Sequence, residues 1–480
     1  MRRFRVYDTL TRETRLFVPR TPPRVGLFVC GLTPYADAHI GHAKTMVTFD
    51  VVARALARWG YRVFYVQNVT NVDDRLITRG GEEGVDPLAL AERHFSAWMR
   101  AMDRLGVRSV NYYPRATDYV PEVIEQVQAL LDRGFAYAAE GSVYFDVARF
   151  PAYGRLSGQR VEALRAGARV DPEPGKRAPE DFVLWKAARP GEPTWESPFG
   201  PGRPGWHIED TAITVRLFGP RYDLHGGGVD LKFPHHEAEI AQAEGATGAS
   251  PLVNYWMHVG MLTLRGEKMS KSLGNVVGLL ETLDRYGPMP LRLFYLNAQY
   301  RSPLDFTEGR SLEEAREAFE TLTAPARALE ETLARSPEQD GSALPDDLAT
   351  AAEETVERLD ATLAEDFNTR EAIAAIFQWG RRIADWTARR EELSAEALAT
   401  LDAPYAWARE VLGLGAEAGA DGARVLDPVV GVAIEARRRA RARGDYAEAD
   451  RIRAELAAAG VELEDHGPAT RWSLLRDRRP

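Results

Sequence analysis

The stretch that most constrains this chain is RVGLFVC, residues 24–30, with a helical stripe and then RVFYVQNV, residues 62–69, behind it. RVGLFVC is a short apolar run suited to a buried strand. Met46, Phe49, Val52, Leu56 and Trp59 are spaced 3, 3, 4 and 3 residues apart, which is one face of a helix, and Gly60 supplies a stop. Strand, helix and strand in so little chain predict a βαβ unit, its strands parallel and joined by a right-handed crossover. That commits the chain to an open α/β sheet with ligands beyond the carboxyl ends of the strands. Cys30 and the histidines of HIGH, His39 and His42, fall at such an end.

The rest of the chain changes texture three times. Residues 126–205 are rich in Gly and Pro and read as an insertion packed on the sheet; YDLHGGGVDLKF, 222–233, returns to strand and loop. From about residue 310 the composition turns to Ala, Leu, Glu and Arg with helical period, broken at 336–347 and 412–423. A last helix is expected with Asp445 as N-cap, Glu448 three residues on, Ala449, Ile452 and Leu456 on one face, and Gly460 past its end. The boundaries this suggests are 1–125 and 206–260 for the two halves of a catalytic domain, 126–205 for the insertion, 261–310 for a loop region, 311–420 for a helical bundle and 425–480 for a small terminal domain.

Composition excludes several classes. No run approaches the roughly 20 apolar residues of a membrane span, and MRRFRVYDTL has no apolar segment behind its arginines, unlike a signal peptide. A single cysteine permits no intrachain disulfide and suits a reducing compartment, so the expectation is a cytoplasmic protein. A net charge of -10 argues against an indiscriminate nucleic-acid binder. A local basic face remains open: Arg437, Arg438, Arg439, Arg441, Arg443, Arg451, Arg453, Arg471, Arg476, Arg478 and Arg479 crowd the C-terminus. Acidic residues lie between them, so a salt-bridged helical surface is the default.

HIGH sits between strand and helix, where unpaired N–H groups favour phosphate. Gly41 lets a phosphate approach, and His39 and His42 can donate to its oxygens. KMSKS, with Lys268, Ser270 and Lys271, follows MLTLRGE, a hairpin strand with an Arg265–Gly266 turn. Its lysines are mobile point charges suited to a triphosphate. In HGGGVD, Gly226 and Gly227 allow close backbone approach to a nucleotide, and Asp230 can accept hydrogen bonds from a ligand.

HIGH paired with a distant KMSKS resembles the class I aminoacyl-tRNA synthetases. FVCGLTPYADAHIGHAKT, NVTNVDDRLITR, GRPGWHIED, DLHGGGVDLKFPHHEAEIAQAE, EKMSKSLGN and GDYAEADRIRAELAAAGVELED resemble the cysteinyl-tRNA synthetase family in particular. The resemblance covers most of the chain. It implies a Rossmann-like α/β catalytic domain with an insertion, an all-α helical bundle and a small anticodon-binding domain. It implies ligation of L-cysteine to tRNA(Cys) with ATP and Mg²⁺, through a cysteinyl-adenylate, by a monomer. Gly31, Thr70, Trp206 and Asp230 match positions that line the amino-acid pocket. The C-terminal arginines become candidates for tRNA contact, and Trp472 for base stacking.

The resemblance also gives Cys30 a role. In this family a Zn²⁺ ion on two Cys, one His and one Glu binds the substrate thiolate. Cys30, His235 and Glu239 match three of these ligands, and the last two are i and i+4 on a helix starting near Pro234. His236 reads as a neighbour. The second cysteine is replaced: the family's GWHIEC is GWHIED, with Asp210. The expected outcome is that Asp210 ligates the metal as a carboxylate. A weak or different metal site, or none, are the other outcomes. Read as strand neighbours of Asp210, Glu209 and Thr211 would face the other way. A lesser departure is Lys44, where many relatives have Arg. Competing readings are a cysteine ligase with an amino-sugar acceptor, and a tRNA-binding paralogue that no longer activates cysteine.

Overall fold

The structure is a computed structural model that describes residues 1–159, 175–269, 275–307, 309–415, 430, 433–441, 443–458, 461–466 and 469–474. It divides into two units, Met1–Gly415 and Ala416–Pro480.

The first unit opens with an antiparallel pair, β1 (Arg5–Asp8) and β2 (Glu13–Leu16). The expected βαβ unit follows as β3 (Arg24–Leu32), α1 (Ile40–Arg58) and β4 (Arg62–Val69). Met46, Phe49, Val52, Leu56 and Trp59 are all buried, so the stripe read from spacing is the core face of α1. Gly60 takes φ 89, the left-handed turn that ends the helix. Next come α2 (Asp74–Glu83), α3 (Pro87–Arg104) and α4 (Val120–Asp132). The Gly/Pro-rich region carries its own antiparallel sheet, β5 (Ala136–Ala139), β6 (Ser142–Phe145), β7 (Phe182–Ala187) and β8 (Gly202–Pro204), in that order. Val143, Phe145, Leu184 and Trp185 of this sheet pack with Val123, Val127 and Leu130 of α4.

The chain then returns through α5 (Ile208–Phe218), β9 (Tyr222–Gly228), α6 (His235–Thr247) and β10 (Val253–Val259). The main sheet has the order β10-β9-β3-β4, and every pairing is parallel. Because β4 lies on one side of β3 and β9 on the other, the strand order reverses between β3 and β9. A crevice opens there at the carboxyl ends. The β3–β4 register shifts between Val29 and Leu32, so Cys30 and Gly31 leave the regular ladder. Such a bulge re-aims side chains.

One sequence expectation is corrected here. Asp210 is not on a strand but in the first turn of α5, so Glu209 and Thr211 do not alternate away from it. Successive helix residues differ by about 100°, not 180°. All three are buried.

Beyond the sheet, β11 (Leu262–Leu264) and β12 (Glu267–Lys268) form the expected hairpin. Arg265 and Gly266 both have positive φ, 53 and 81, as a two-residue type I′ turn requires. Ser270 and Lys271 lie outside the described residues. Helices α7 (Leu279–Tyr286) and α8 (Pro288–Leu296) follow, then β13 (Leu304–Phe306) beside β11. The helical region is α9 (Arg310–Arg335), α10 (Asp346–Leu363), α11 (Thr369–Arg382), α12 (Ala384–Ala388) and α13 (Ala395–Trp407). It shares one continuous core with α1 and the sheet. Asp360 of α10 accepts from the indole of Trp59 (3.0 Å) across that boundary and from that of Trp407 (3.1 Å) within the helical region.

Lys44, near the start of α1, buries its ammonium against two carbonyls, Gly260 O at 2.7 Å and Ser302 O at 2.9 Å. Burial lowers its pKa to about 8. Between about pH 8 and the unfolded value near 10.5, the unfolded chain keeps a proton that the folded one has released. Folding therefore becomes more favourable as pH rises through that window. Lys44→Met should remove this alkaline rise. Urea unfolding of both proteins at roughly pH 7 and pH 10 measures it; an identical slope in the variant would refute the assignment.

The second unit holds α14 (Tyr446–Ala458) and the hairpin β14 (Val461–His466) and β15 (Ala469–Leu474). Asp445 caps α14 as expected, accepting from Glu448 N at 3.1 Å. Ala449 is buried, and Val430, Val461 and Leu463 form a small core with Ile434 and Leu456. Gly460, Arg476, Arg478 and Arg479 lie outside the described residues. Arg438 and Arg439 pair with Glu435, and Arg451 with Glu448 and Glu455. Trp472 stands opposite Leu463 in the hairpin register.

Candidate active site

A cavity of about 440 Å³ opens at the carboxyl ends of β3, β9 and β10. Its lining includes Cys30, Gly31, His39, Gly41, His42, Trp206, Gly228 and Asp230. Residues read from four separate motifs thus share one wall.

HIGH builds the wall through its own hydrogen bonds. His39 is the N-cap of α1 and its Nδ1 accepts from Gly41 N at 3.1 Å. His42 Nδ1 accepts from His39 N at 3.4 Å, which completes a capping box. The rings stack with centroids 3.7 Å apart. An Nδ1 that accepts leaves the proton of a neutral imidazole on Nε2. Each ring is thereby a hydrogen-bond donor beside a helix N-terminus, an arrangement suited to phosphate.

The floor is a buried cluster that meets the cavity at Cys30. Cys30 Sγ lies 3.6 Å from Asp210 Oδ2 and 3.6 Å from Glu239 Oε1. His235 Nε2 lies 2.8 Å from Asp210 Oδ2 and 3.2 Å from Glu239 Oε1. Donor atoms of these four buried residues all fall within 4.8 Å of one another. A second group, Cys30, His225, His236 and Glu239, meets the same condition. Burial, then the charges of Glu239 and Asp210, push the Cys30 thiol well up. Burial and Asp210 push the Glu239 carboxyl up. Burial drives His225 and His236 well down, so both stay neutral. Without a cation the cluster must therefore retain protons. Glu239 Oε2 is buried with no hydrogen-bond partner. A sulfur, imidazoles and carboxylates converging around an orphaned oxygen fit a divalent metal, which would replace those protons.

The remaining site residues fall in different layers. Thr70 lies beside the cluster: its hydroxyl donates to Glu209 Oε1 (3.3 Å) and accepts from Asn68 Nδ2 (3.2 Å). Gly31 is required by β4, since a Cβ there would lie 1.8 Å from Asn68 O. Gly226 and Gly227 differ from expectation. A Cβ at Gly226 would meet the Phe49 ring at 2.1 Å and one at Gly227 the His236 ring at 2.8 Å, so their small size serves internal packing rather than ligand approach. Lys268 ends β12.

Several residues escaped the sequence reading. His236 Nε2 is 3.1 Å from Cys30 Sγ, closer than any other donor with a given distance. Its i,i+3 spacing to Glu239 was the available signal. His225, Asn68 and His258 carried none, because strand pairing brings them in. Arg75 lines the cavity and places its guanidinium 5.4 Å over Tyr35 and 5.5 Å over Trp206.

Residues 16–317 match the family model described as tRNA synthetases class I (C) catalytic domain. Residues 426–472 match that of the cysteinyl-tRNA ligase anticodon binding domain. The chain belongs to the cysteinyl-tRNA synthetase family. The cysteine--tRNA ligase of Pelotomaculum thermopropionicum is 43% identical over 487 residues, covering 97% of this chain and 99% of that one. That of Laribacter hongkongensis is 44% identical, with coverage of 97% and 99%. Among solved structures, methionyl-tRNA synthetase of Mycobacterium tuberculosis with methionyl-adenylate superposes with a TM-score of 0.60 at 16% identity, covering 81% of this chain and 92% of that one. At that identity the likeness is one of fold: a class I catalytic domain on a parallel sheet. Among the described residues no helix is long and apolar enough to cross a membrane.

Proposed function

We propose that this member of the cysteinyl-tRNA synthetase family joins L-cysteine to tRNA(Cys) at the expense of ATP, releasing AMP and pyrophosphate. The observation that carries this is the convergence of HIGH, Asp230 and Trp206 around one cavity whose floor is the Cys30 cluster. In the first step the cysteine carboxylate oxygen bonds to the α-phosphorus of ATP, and the bond to the bridging oxygen of pyrophosphate breaks. His39 and His42 donate from Nε2 to the phosphate oxygens. Lys268 and Lys271 bring positive charge to the leaving phosphates, with Mg²⁺ bound to ATP. No covalent enzyme intermediate is needed; positioning and charge stabilisation suffice. In the second step a terminal ribose hydroxyl of the tRNA attacks the acyl carbon, AMP leaves, and the hydroxyl proton passes to solvent.

Trp206 packs against His207 and His235, with ring centroids at 4.7 and 5.1 Å, and closes the cavity near the floor. Cys30, Asp210, His235 and Glu239 are the residues that would hold zinc where the substrate side chain arrives. When bound, zinc supplies a thiophilic Lewis acid that favours a thiolate over a hydroxyl. Asp210 replaces a thiolate with a donor of equal charge, placed in the first turn of a helix where a carboxylate is favoured. The match of residues 426–472 to an anticodon-binding module favours a tRNA acceptor over an amino sugar. Intact HIGH and KMSKS argue against a binding-only paralogue, which would need neither. A cytoplasmic monomer is the form we propose.

ATP–pyrophosphate exchange tests this reading. Exchange with cysteine should vanish on metal stripping, return with zinc, and exceed exchange with serine by about a thousandfold or more. Exchange with cysteine that survives stripping unchanged, or comparable use of serine, would overturn the zinc reading.

A further inference from the structure

Trp206 lines the cavity, yet the chain delivers it from the inserted sheet: β8 ends at Pro204, and only Gly205 intervenes. We propose that Asp74, at the start of α2, is a positioning residue for amino-acid binding: it clasps the inserted sheet to α2 and so fixes where Trp206 stands. The proposal rests on the reading of Trp206 as a wall of the amino-acid pocket.

The inserted sheet is built to need a carboxylate from outside. Lys186 of β7 and Arg203 of β8 stand directly opposite each other in the register. Like charges in that relation repel. Asp74 bonds to both: its Oδ2 accepts from Lys186 Nζ at 2.5 Å, and its Oδ1 accepts from Arg203 Nη2. Arg203 is only 3% exposed, and its Nε donates to Glu192 Oε2 at 2.8 Å. Burial alone would raise the Asp74 carboxyl, but the bonds from Lys186 and Arg203 outweigh it and hold it below its usual value. One ionised carboxylate thus satisfies two cations on neighbouring strands.

The clasp reaches Trp206 through a stretch with no slack. Gly205 N donates to Leu184 O at 2.9 Å, and a Cβ at Gly205 would lie 2.1 Å from Val183 O. The backbone between Arg203 and Trp206 is therefore pressed flat on β7, and a shift of β8 is a shift of Trp206. The next residue of α2, Arg75, places its guanidinium over the Trp206 ring, whose other neighbours are the rings of His207 and His235. Asp74 grips the strand and Arg75 the indole that follows it, so α2 registers the inserted sheet against the pocket twice.

Asp74 is not among the residues that line the cavity, so its effect on a substrate is indirect. Its side chain is half exposed, and Arg203 keeps Glu192 when Asp74 is removed. Removing it therefore costs little stability, which separates positioning from folding. A misplacement of about 1 Å costs up to about a hundredfold at a preorganised site. A wall of the pocket that stays in place but loses its register should cost about tenfold.

Asp74→Ala in the full-length protein, assayed by ATP–pyrophosphate exchange, tests this. KM for cysteine should rise about tenfold while KM for ATP stays within about twofold, a split that general loosening would not give. Trp206→Phe should also raise the cysteine KM. Adding Asp74→Ala to it should raise that KM less than about threefold further, because the two changes act through one group. An unchanged cysteine KM in Asp74→Ala, an equal rise for both substrates, or the full tenfold effect on top of Trp206→Phe would overturn the clasp and leave the pocket reading standing. An unaltered cysteine KM in Trp206→Phe would overturn both.

Discussion

Cys30→Ala is expected to abolish bound zinc and to weaken cysteine selection. Cys30 Sγ is the one sulfur in either donor group, so no rearrangement within the cluster can replace it. The variant would leave Asp210 and Glu239, both buried, sharing a floor without a thiolate to bind the ion. Changes behind a metal ligand already cost 10–100-fold in affinity or activity, so loss of the ligand itself should cost at least about a hundredfold in cysteine-dependent exchange. Discrimination against serine should fall to about 10–200-fold, the range a plain pocket achieves for near-isosteres. Metal analysis of the purified variant and paired exchange assays measure both. Retention of zinc together with undiminished selectivity would make Cys30 a packing residue.

The largest expected stability effect lies away from the pocket. Arg292 of α8 is fully buried and donates to Asp50 Oδ2 at 2.9 Å, Leu105 O at 2.9 Å and Leu412 O at 2.7 Å. One side chain therefore ties α1, the end of α3 and the end of the helical region. Burial alone would raise the Asp50 carboxyl, but Arg292, Arg54 and Ser109 outweigh it and hold it below its usual value. Removing one partner of such a pair costs about 3–5 kcal/mol, because the remaining charge stays buried. Arg292→Leu should show that loss in urea denaturation. The pH dependence has a definite sign. A depressed carboxyl adds stability that is fully present above its unfolded pKa and disappears as pH falls through the folded one. The wild type should thus lose stability in acid more steeply than the variant. A difference under about 1 kcal/mol at neutral pH would show that the remaining partner, Arg54, suffices.

Local pattern carried much of this protein's description. The apolar runs and the 3-and-4 spacing determined β3, α1 and β4, because strand and helix periods are set by the backbone itself. Asp445 three residues before Glu448, and Arg265–Gly266 between two short strands, determined a helix start and a hairpin for the same reason. HIGH was legible as a helix entry, and His235 with Glu239 as one face of a helix. GWHIED was misread as a strand, since so short a run holds no period to separate the two.

Tertiary structure decided what surrounds Cys30. Parallel pairing puts Phe28 opposite His225, and Cys30, two residues on, reaches that histidine's Nε2 at 3.5 Å. Asp210, His225, His236 and Glu239 stand 180, 195, 206 and 209 residues from Cys30 in sequence. At such separations no periodicity links them; only the strand order β10-β9-β3-β4 does. The contacts of His258 with His236 (2.8 Å) and with Thr9 (2.9 Å) draw on β10 and on the chain's beginning. The sequence by itself determined which elements form and which residue types could carry the chemistry. Which histidines face the one sulfur was decided by sheet register and burial, which are properties of the assembled core.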